Sequence, residues 1–294
     1  LKMRRAALLL LPLALGCQQL EAWRDQGRRP IIHVDLPSRF LEAEGFADAR
    51  PQAEAALREV MKAWPDFAFR VARRDEVGWQ LDVRVPQATE RISDDDPAQL
   101  HRSVGVQLHL RALGPVDLDP PAVAVEALVT SDVPKGTPFG VSVAAALHEG
   151  GRRMQVAMDL AWGPAAETVA ALGSPEEWRR LLAIQACARR KLSAAAPTLM
   201  GLVKDEGQSS AVVVSAVGAL VAMGATDAAG VIIDACRQRE PEYVVQMIFA
   251  LGALGGREAE AYLFTVQSGH PDPQVRGAAA EALEELTRRQ GGAE

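Results

Sequence analysis

Apolar and polar positions alternate along short stretches of the first half of the chain and recur at helical spacing in the second. Ile31-Ile32-His33-Val34-Asp35-Leu36 is a short strand stopped by Pro37. Between Arg50 and Trp64, the residues Ala53, Ala56, Leu57, Val60, Met61 and Trp64 fall on one helical face, with Pro51 near the start and Pro65 at the end. Segments 67–71, 81–85 and 106–111 alternate with period two, and 122–129 does so more loosely. One apolar face per strand predicts a small antiparallel sheet covered on a single side. The cover is the first helix together with a second amphipathic segment, Val141 to Trp162, which Gly150-Gly151 is expected to break.

The second half repeats itself. Ala186-Cys187, Ala219-Leu220, Ala250-Leu251 and Ala282-Leu283 stand at intervals of 33, 31 and 32 residues. Further columns carry Leu199, Ile232 and Leu263, then Leu202, Ala235 and Val266, and the small residues Ala195, Ala228 and Ala259. Each unit therefore offers two short helices, too short to be stable alone, whose apolar stripes become one interior when neighbours stack. Ser174-Pro175-Glu176-Glu177 and Asp272-Pro273 read as helix starts, and Gly224, Gly252 and Gly255-Gly256 as helix ends.

Asp272-Pro273-Gln274-Val275-Arg276 with Ala278 to Leu283 resembles the D-x-x-V-R-x-x-A-x-x-A-L signature of HEAT repeats, nearest to the phycobilisome-lyase-like subgroup. Val213 and Val244 replace the signature arginine in earlier units, and Ser209 and Glu240 replace its aspartate. The fold class expected is α+β: a small antiparallel-sheet α/β domain over 31–165, then an all-α HEAT-type helical solenoid over 174–290. The resemblance implies a surface for an extended protein partner.

Lys2, Arg4 and Arg5 precede an apolar run from Ala6 to Leu15 that is too short to cross a bilayer. Leu13-Ala14-Leu15-Gly16-Cys17 resembles the bacterial lipobox, with Ala14 in place of the usual leucine. This implies a signal peptide over 1–16, lipid attachment at Cys17, and a tether over 17–30. Gln18 lacks the aspartate that often retains lipoproteins in the inner membrane, so the implied address is the outer membrane, facing the periplasm. The middle domain's element order loosely resembles small periplasmic α/β domains.

Charge and chemistry alter this picture little. Residues 174–294 hold twelve Lys/Arg against fifteen Asp/Glu, and the rest holds twenty against twenty-three. No concentrated basic block argues for nucleic acid; Arg189-Arg190-Lys191 reads as the cationic end of a repeat helix. Cys17, Cys187 and Cys236 have no metal-ligand or redox spacing, and the latter two read as core residues, with a disulfide between them left open. Asp94-Asp95-Asp96 lacks the spacing of a calcium loop and reads as a solvated loop. Gly140-Val141-Ser142-Val143-Ala144 approaches a nucleophile elbow without the preceding strand, which leaves Ser142 as a helix N-cap. His148-Glu149 lacks the second histidine of a zinc motif. No catalytic residue, metal site or cofactor is expected. The functional expectation is a lipid-anchored, non-enzymatic scaffold; a hydrolase or lyase-like enzyme using the middle domain, or a component of envelope transport or assembly, stand as alternatives.

Overall fold

A computed structural model of the chain describes residues 29–35, 49–69, 78–115, 118–237 and 240–291. It is α+β and separates into two compact units, one of 1–116 with 126–152 and one of 117–125 with 153–294. The division lies inside a helix, upstream of the 165–174 link at which the sequence places it.

The first unit is built on β1 (Arg29–Asp35), α1 (Ala49–Ala63), β2 (Phe67–Phe69), β3 (Trp79–Ile92), β4 (Gln99–Ala112), β5 (Ala122–Pro134) from Glu126 onward, and the start of α2 (Phe139–Trp162). The sheet order is β2-β1-β3-β4-β5. It is mixed, which corrects the expectation of an antiparallel sheet: β1 pairs parallel with both β2 and β3, while β3 and β4 pair antiparallel. Alternation reports which face is buried and is blind to strand direction. The helix α1 between β1 and β2 is the crossover that makes their parallel pairing possible.

Trp79, Leu81, Val83 and Val85 of β3 and Val104, Val106, Leu108 and Leu110 of β4 are buried, with Leu81 opposite Leu110 and Val83 opposite Leu108. The β3–β4 register shifts between Arg84 and Gln87, around Pro86, which has no N–H to give the ladder. Past that shift β3 is largely exposed, so the strands run well beyond the apolar stretches by which the sequence marks them. Trp64, Phe67 and Trp79 meet edge to face, with centroids 6.5 and 5.2 Å apart.

Helix α2 does not break at Gly150-Gly151. A β-carbon at Gly150 would stand 3.0 Å from Val106, and one at Gly151 only 2.4 Å from Val60. The pair is the seat where α2 lies on the sheet with one glycine and against α1 with the other. The Trp64 indole N–H donates to the Gly151 carbonyl there (3.3 Å).

The second unit contains α3 (Ala165–Ala170), α4 (Glu177–Arg189), α5 (Ala196–Lys204), α6 (Ser210–Met223), α7 (Ala229–Ala235), α8 (Pro241–Leu254), α9 (Arg257–Gly269) and α10 (Pro273–Gly291). Among the described residues, 174–290 contains no strand. The helices α4, α6, α8 and α10 touch in series, and so do α5, α7 and α9, with α6 against α5 and α10 against α9. Leu199, Ile232 and Leu263 are fully buried in one continuous apolar cluster, as are Ala195, Ala228 and Ala259 where the second helices begin.

In the first-helix column Cys187, Leu220 and Leu251 are fully buried, but Leu283 is only half-buried. Its neighbour Ala282 is buried, as Ala186 and Ala219 are in the same alanine column. Gly252 lies inside α8 and does not end it: a β-carbon there would stand 2.8 Å from Ala282 Cβ. The other helix-end glycines do have positive φ, +67° at Gly224 and +73° and +88° at Gly255 and Gly256. Asp272 caps α10 through Gln274 N (2.7 Å). Ser174 does not cap α4, which begins at Glu177; its hydroxyl accepts from Glu176 N instead (3.2 Å). Ser209 caps α6 through Val212 N and donates to Glu177 of α4 (2.9 Å), a polar contact between the two helices.

Two glycine substitutions should move stability in opposite directions. Gly218, in α6, has open space where a β-carbon would sit, so Gly218→Ala should stabilise by about 0.5–1 kcal/mol. Gly151→Ala must displace Val60 and should destabilise by roughly 1–3 kcal/mol. Denaturant midpoints check this; a stabilised Gly151→Ala would mean the glycine pair is no packing seat.

Candidate functional site

The side chains that might have carried chemistry are occupied with structure. Ser142 is the fourth residue of α2, not its N-cap, and is 4 % exposed. Its hydroxyl accepts from the Arg102 guanidinium at 3.4 Å. Asp96 closes the β3–β4 loop, taking Ala98 N on one oxygen and the Gln99 amide on the other (2.9 and 3.0 Å). Those bonds, the backbone one foremost, lower its carboxyl below the ordinary range. Asp94 turns to Arg91 (2.9 Å), so the acidic trio is not pooled on one point. His101 meets Asp132 at 2.9 Å and His109 lies 3.9 Å from Asp82. Among the described residues, no three His, Cys, Asp or Glu side chains are grouped as a metal would need. Cys17 and the expected signal peptide over 1–16 lie outside the described residues.

Cys187 and Cys236 are buried free thiols. Burial pushes both up to about 11, with Arg190 opposing slightly at Cys187 and Tyr262 at Cys236. Tyr262 is itself raised, first by burial and then by Cys236. Both cysteines belong to the apolar cluster, as their columns imply.

Two arginines organise their surroundings: Arg102, which the sequence does not single out, and Arg190. Arg102 is 3 % exposed. It holds Glu90 at 2.7 Å, the carbonyls of Thr137 and Pro138 at 2.6 and 3.1 Å, and lies 5.1 Å from the Phe139 ring centroid. This fixes the entry to α2. The signal was available: Arg102 has the same parity as Val104, Val106 and Leu108, and a charge on the inward face of a strand must be paired. Arg190 follows α4, as expected of a basic residue at a helix end, yet its guanidinium serves the end of another helix. It donates to the carbonyls of Leu160 and Gly163 (2.8 and 2.9 Å) and to Thr168 (2.8 Å).

What remains is surface. Neither α6, which has no charged residue, nor α8, whose only one is Glu242, has the polar outer face of an ordinary surface helix. Phe249 of α8 is 43 % exposed and opens a groove of about 380 Å³ floored by Gly252, Ala253 and Ala282. Arg289 closes one end by donating to the Gly252 and Ala253 carbonyls, the latter at 3.1 Å. Glu281, Glu284 and Glu285 stand on the rim, and Arg288 and Arg289 pair with Glu285. A larger groove of about 640 Å³ lies by the turns after α5 and α7 and is lined mostly by polar groups, among them Lys204, Asp205, Asp234 and Arg237. Asp205 is held below the usual carboxylate range by the Gln208 amide and Gly207 N. Phe264 of α9 is 65 % exposed.

No protein-family model matches the chain, and no curated protein matches it at a significant level. The thiols give a direct check of the buried column. In a Cys17→Ser variant, a disulfide-exchange reagent at pH 8 should leave Cys187 and Cys236 unmodified in the folded protein and label both after denaturation. Rapid native labelling of either would place it outside the core.

Proposed function

We propose that the chain is an exported, lipid-anchored protein of a bacterial envelope whose second unit is a HEAT-type helical stack that binds a protein partner without catalysing a reaction. The address rests on the sequence alone: a cationic start, a short apolar run and Leu15-Gly16-Cys17. It is compatible with the finding that, among the described residues, no helix is long and apolar enough to cross a membrane. Attachment at Cys17 would hold the domains at the outer membrane, facing the periplasm, since acyl chains contribute roughly 0.8 kcal/mol per buried methylene.

The solenoid reading is supported by the two files of touching helices, α4-α6-α8-α10 and α5-α7-α9, and by the buried columns they share. The observation that carries the binding role is Phe249. A large aromatic stands half out of a helix almost without charge, beside a groove to which Arg289 is tied and whose lining carries three glutamates against two arginines, a small acidic excess. Aromatic anchors in pockets of this kind dominate protein interfaces. The acidic rim suits a segment that combines an apolar anchor with Lys or Arg.

The test has two arms in cells carrying the full chain. Cys17→Ser should abolish labelling by a fatty-acid probe and release the protein from membranes or leave it unprocessed. A photo-reactive residue in place of Phe249 should give discrete protein adducts that vanish when Glu281→Lys and Glu284→Lys are added. The same probe at exposed Thr265 should give none. Unchanged membrane attachment sinks the address; adducts that are equal at the two positions sink the binding surface.

A further inference from the structure

The sheet of the first unit ends on β5, a strand of 13 residues, whereas the opposite edge, β2, has three. Four observations fix how β5 lies on β4. Gln107 bonds Glu126, His101 bonds Asp132, Lys135 N donates to the Ala98 carbonyl, and a β-carbon at Gly105 would touch Leu128. All four pairs share one antiparallel register, in which the Lys135–Ala98 pair is a hydrogen-bonded one. Hydrogen-bonded pairs recur at every second residue. The odd-numbered residues of β5 therefore turn their N–H and C=O groups to β4. The even-numbered Ala124, Glu126, Leu128, Thr130 and Asp132 turn theirs outward, along the sheet edge.

Proteins guard such an edge with lysine, internal proline or a very short strand. Strand β5 has none of these: it holds no Lys or Arg, its one proline is the terminal Pro134, and Leu128 is 54 % exposed at its middle. Its two charges, Glu126 and Asp132, are both acidic and both engaged across the sheet.

We propose that β5 is the interface of a homodimer, pairing antiparallel with β5 of a second copy about a two-fold axis at Leu128. Strand length sets the register, since an axis at Leu128, the midpoint of β5, is the one that lets all 13 residues of both strands overlap. A second copy presents a strand of the same length with the same exposed leucine at its centre. About Leu128, the leucine faces itself, Glu126 faces Thr130 and Asp132 faces Ala124, so no like charges stand directly opposite and the outward N–H and C=O groups of each copy find partners. A two-fold axis one residue later, at Val129, would set Glu126 against Asp132, a repulsive pair. A second copy also presents a strand already ordered on its own sheet, so pairing spends little conformational entropy.

Sedimentation of the full chain in a Cys17→Ser background, where the two buried thiols are the only other cysteines, tests the proposal. A concentration-dependent dimer is expected. Thr130→Pro deletes one outward N–H and leaves the bonds to β4 intact, and Leu128→Lys sets two cations side by side. Each should weaken dimerisation by roughly tenfold or more with an unchanged helix signal. Mild oxidation should cross-link Leu128→Cys and spare Glu126→Cys, whose sulfurs would lie several residues apart. A monomer at every accessible concentration, a dimer indifferent to both substitutions, or equal cross-linking at 126 and 128 would each overturn it.

Discussion

Helices α6 and α8 cannot stand alone, and the second unit is arranged around that fact. Between them they carry one charged residue, Glu242. Each is 14 residues long, near the limit at which an isolated helix is marginal in water. Their stability comes from neighbours: α6 lies between α4 and α8, α8 between α6 and α10, and the second helices close the side. The buried residues form one cluster running from Leu160 to Ala282. Each interface buries what the next helix needs buried, and the proposed repeat stacking predicts that loss at one position propagates along the file. The same scarcity of charge leaves apolar surface on the outer side, where Phe249 stands.

Polar groups then set the ends of elements. Arg190 satisfies carbonyls at the C-terminal turn of α2, which has no basic residue of its own there. Arg276 does the same for the turn before α10, donating to His270 and Pro271 (2.6 and 2.9 Å). In the first unit Arg102 ties the 137–138 turn to the sheet. Each is an arginine because several carbonyls must be met at once, which a fork of N–H donors can do and a single ammonium does poorly.

Much of the helical architecture was legible because burial leaves a periodic mark. The columns of Leu199, Ile232 and Leu263 and of Ala195, Ala228 and Ala259 are fully buried where periodicity placed them. Periodicity failed where a single atom decides. Gly252 is a packing contact and no helix end because Ala282 occupies the space a side chain would need, and Gly150-Gly151 is a seat because Val60 and Val106 do the same. The parallel pairing of β1 was hidden because alternation has no direction. Arg102 escaped because the strand was taken to begin at 106, four residues after it. The surface around Phe249 left only an indirect trace, the missing charges of α6 and α8; the acidic rim comes from α10 and meets it only in three dimensions.

Leu251 is a buried position of α8, and the proposed stacking predicts that its loss is felt in the adjacent helices. Leu251 is fully buried, while Glu258 on α9 is exposed. Truncating a buried leucine typically costs about 2–5 kcal/mol. Amide hydrogen exchange on the full chain, comparing Leu251→Ala with Glu258→Ala, measures this helix by helix. The account expects Leu251→Ala to lower protection in α8 and also in α6 and α10, with Glu258→Ala close to wild type. Loss of protection confined to α8, or equal small effects from the two substitutions, would contradict it.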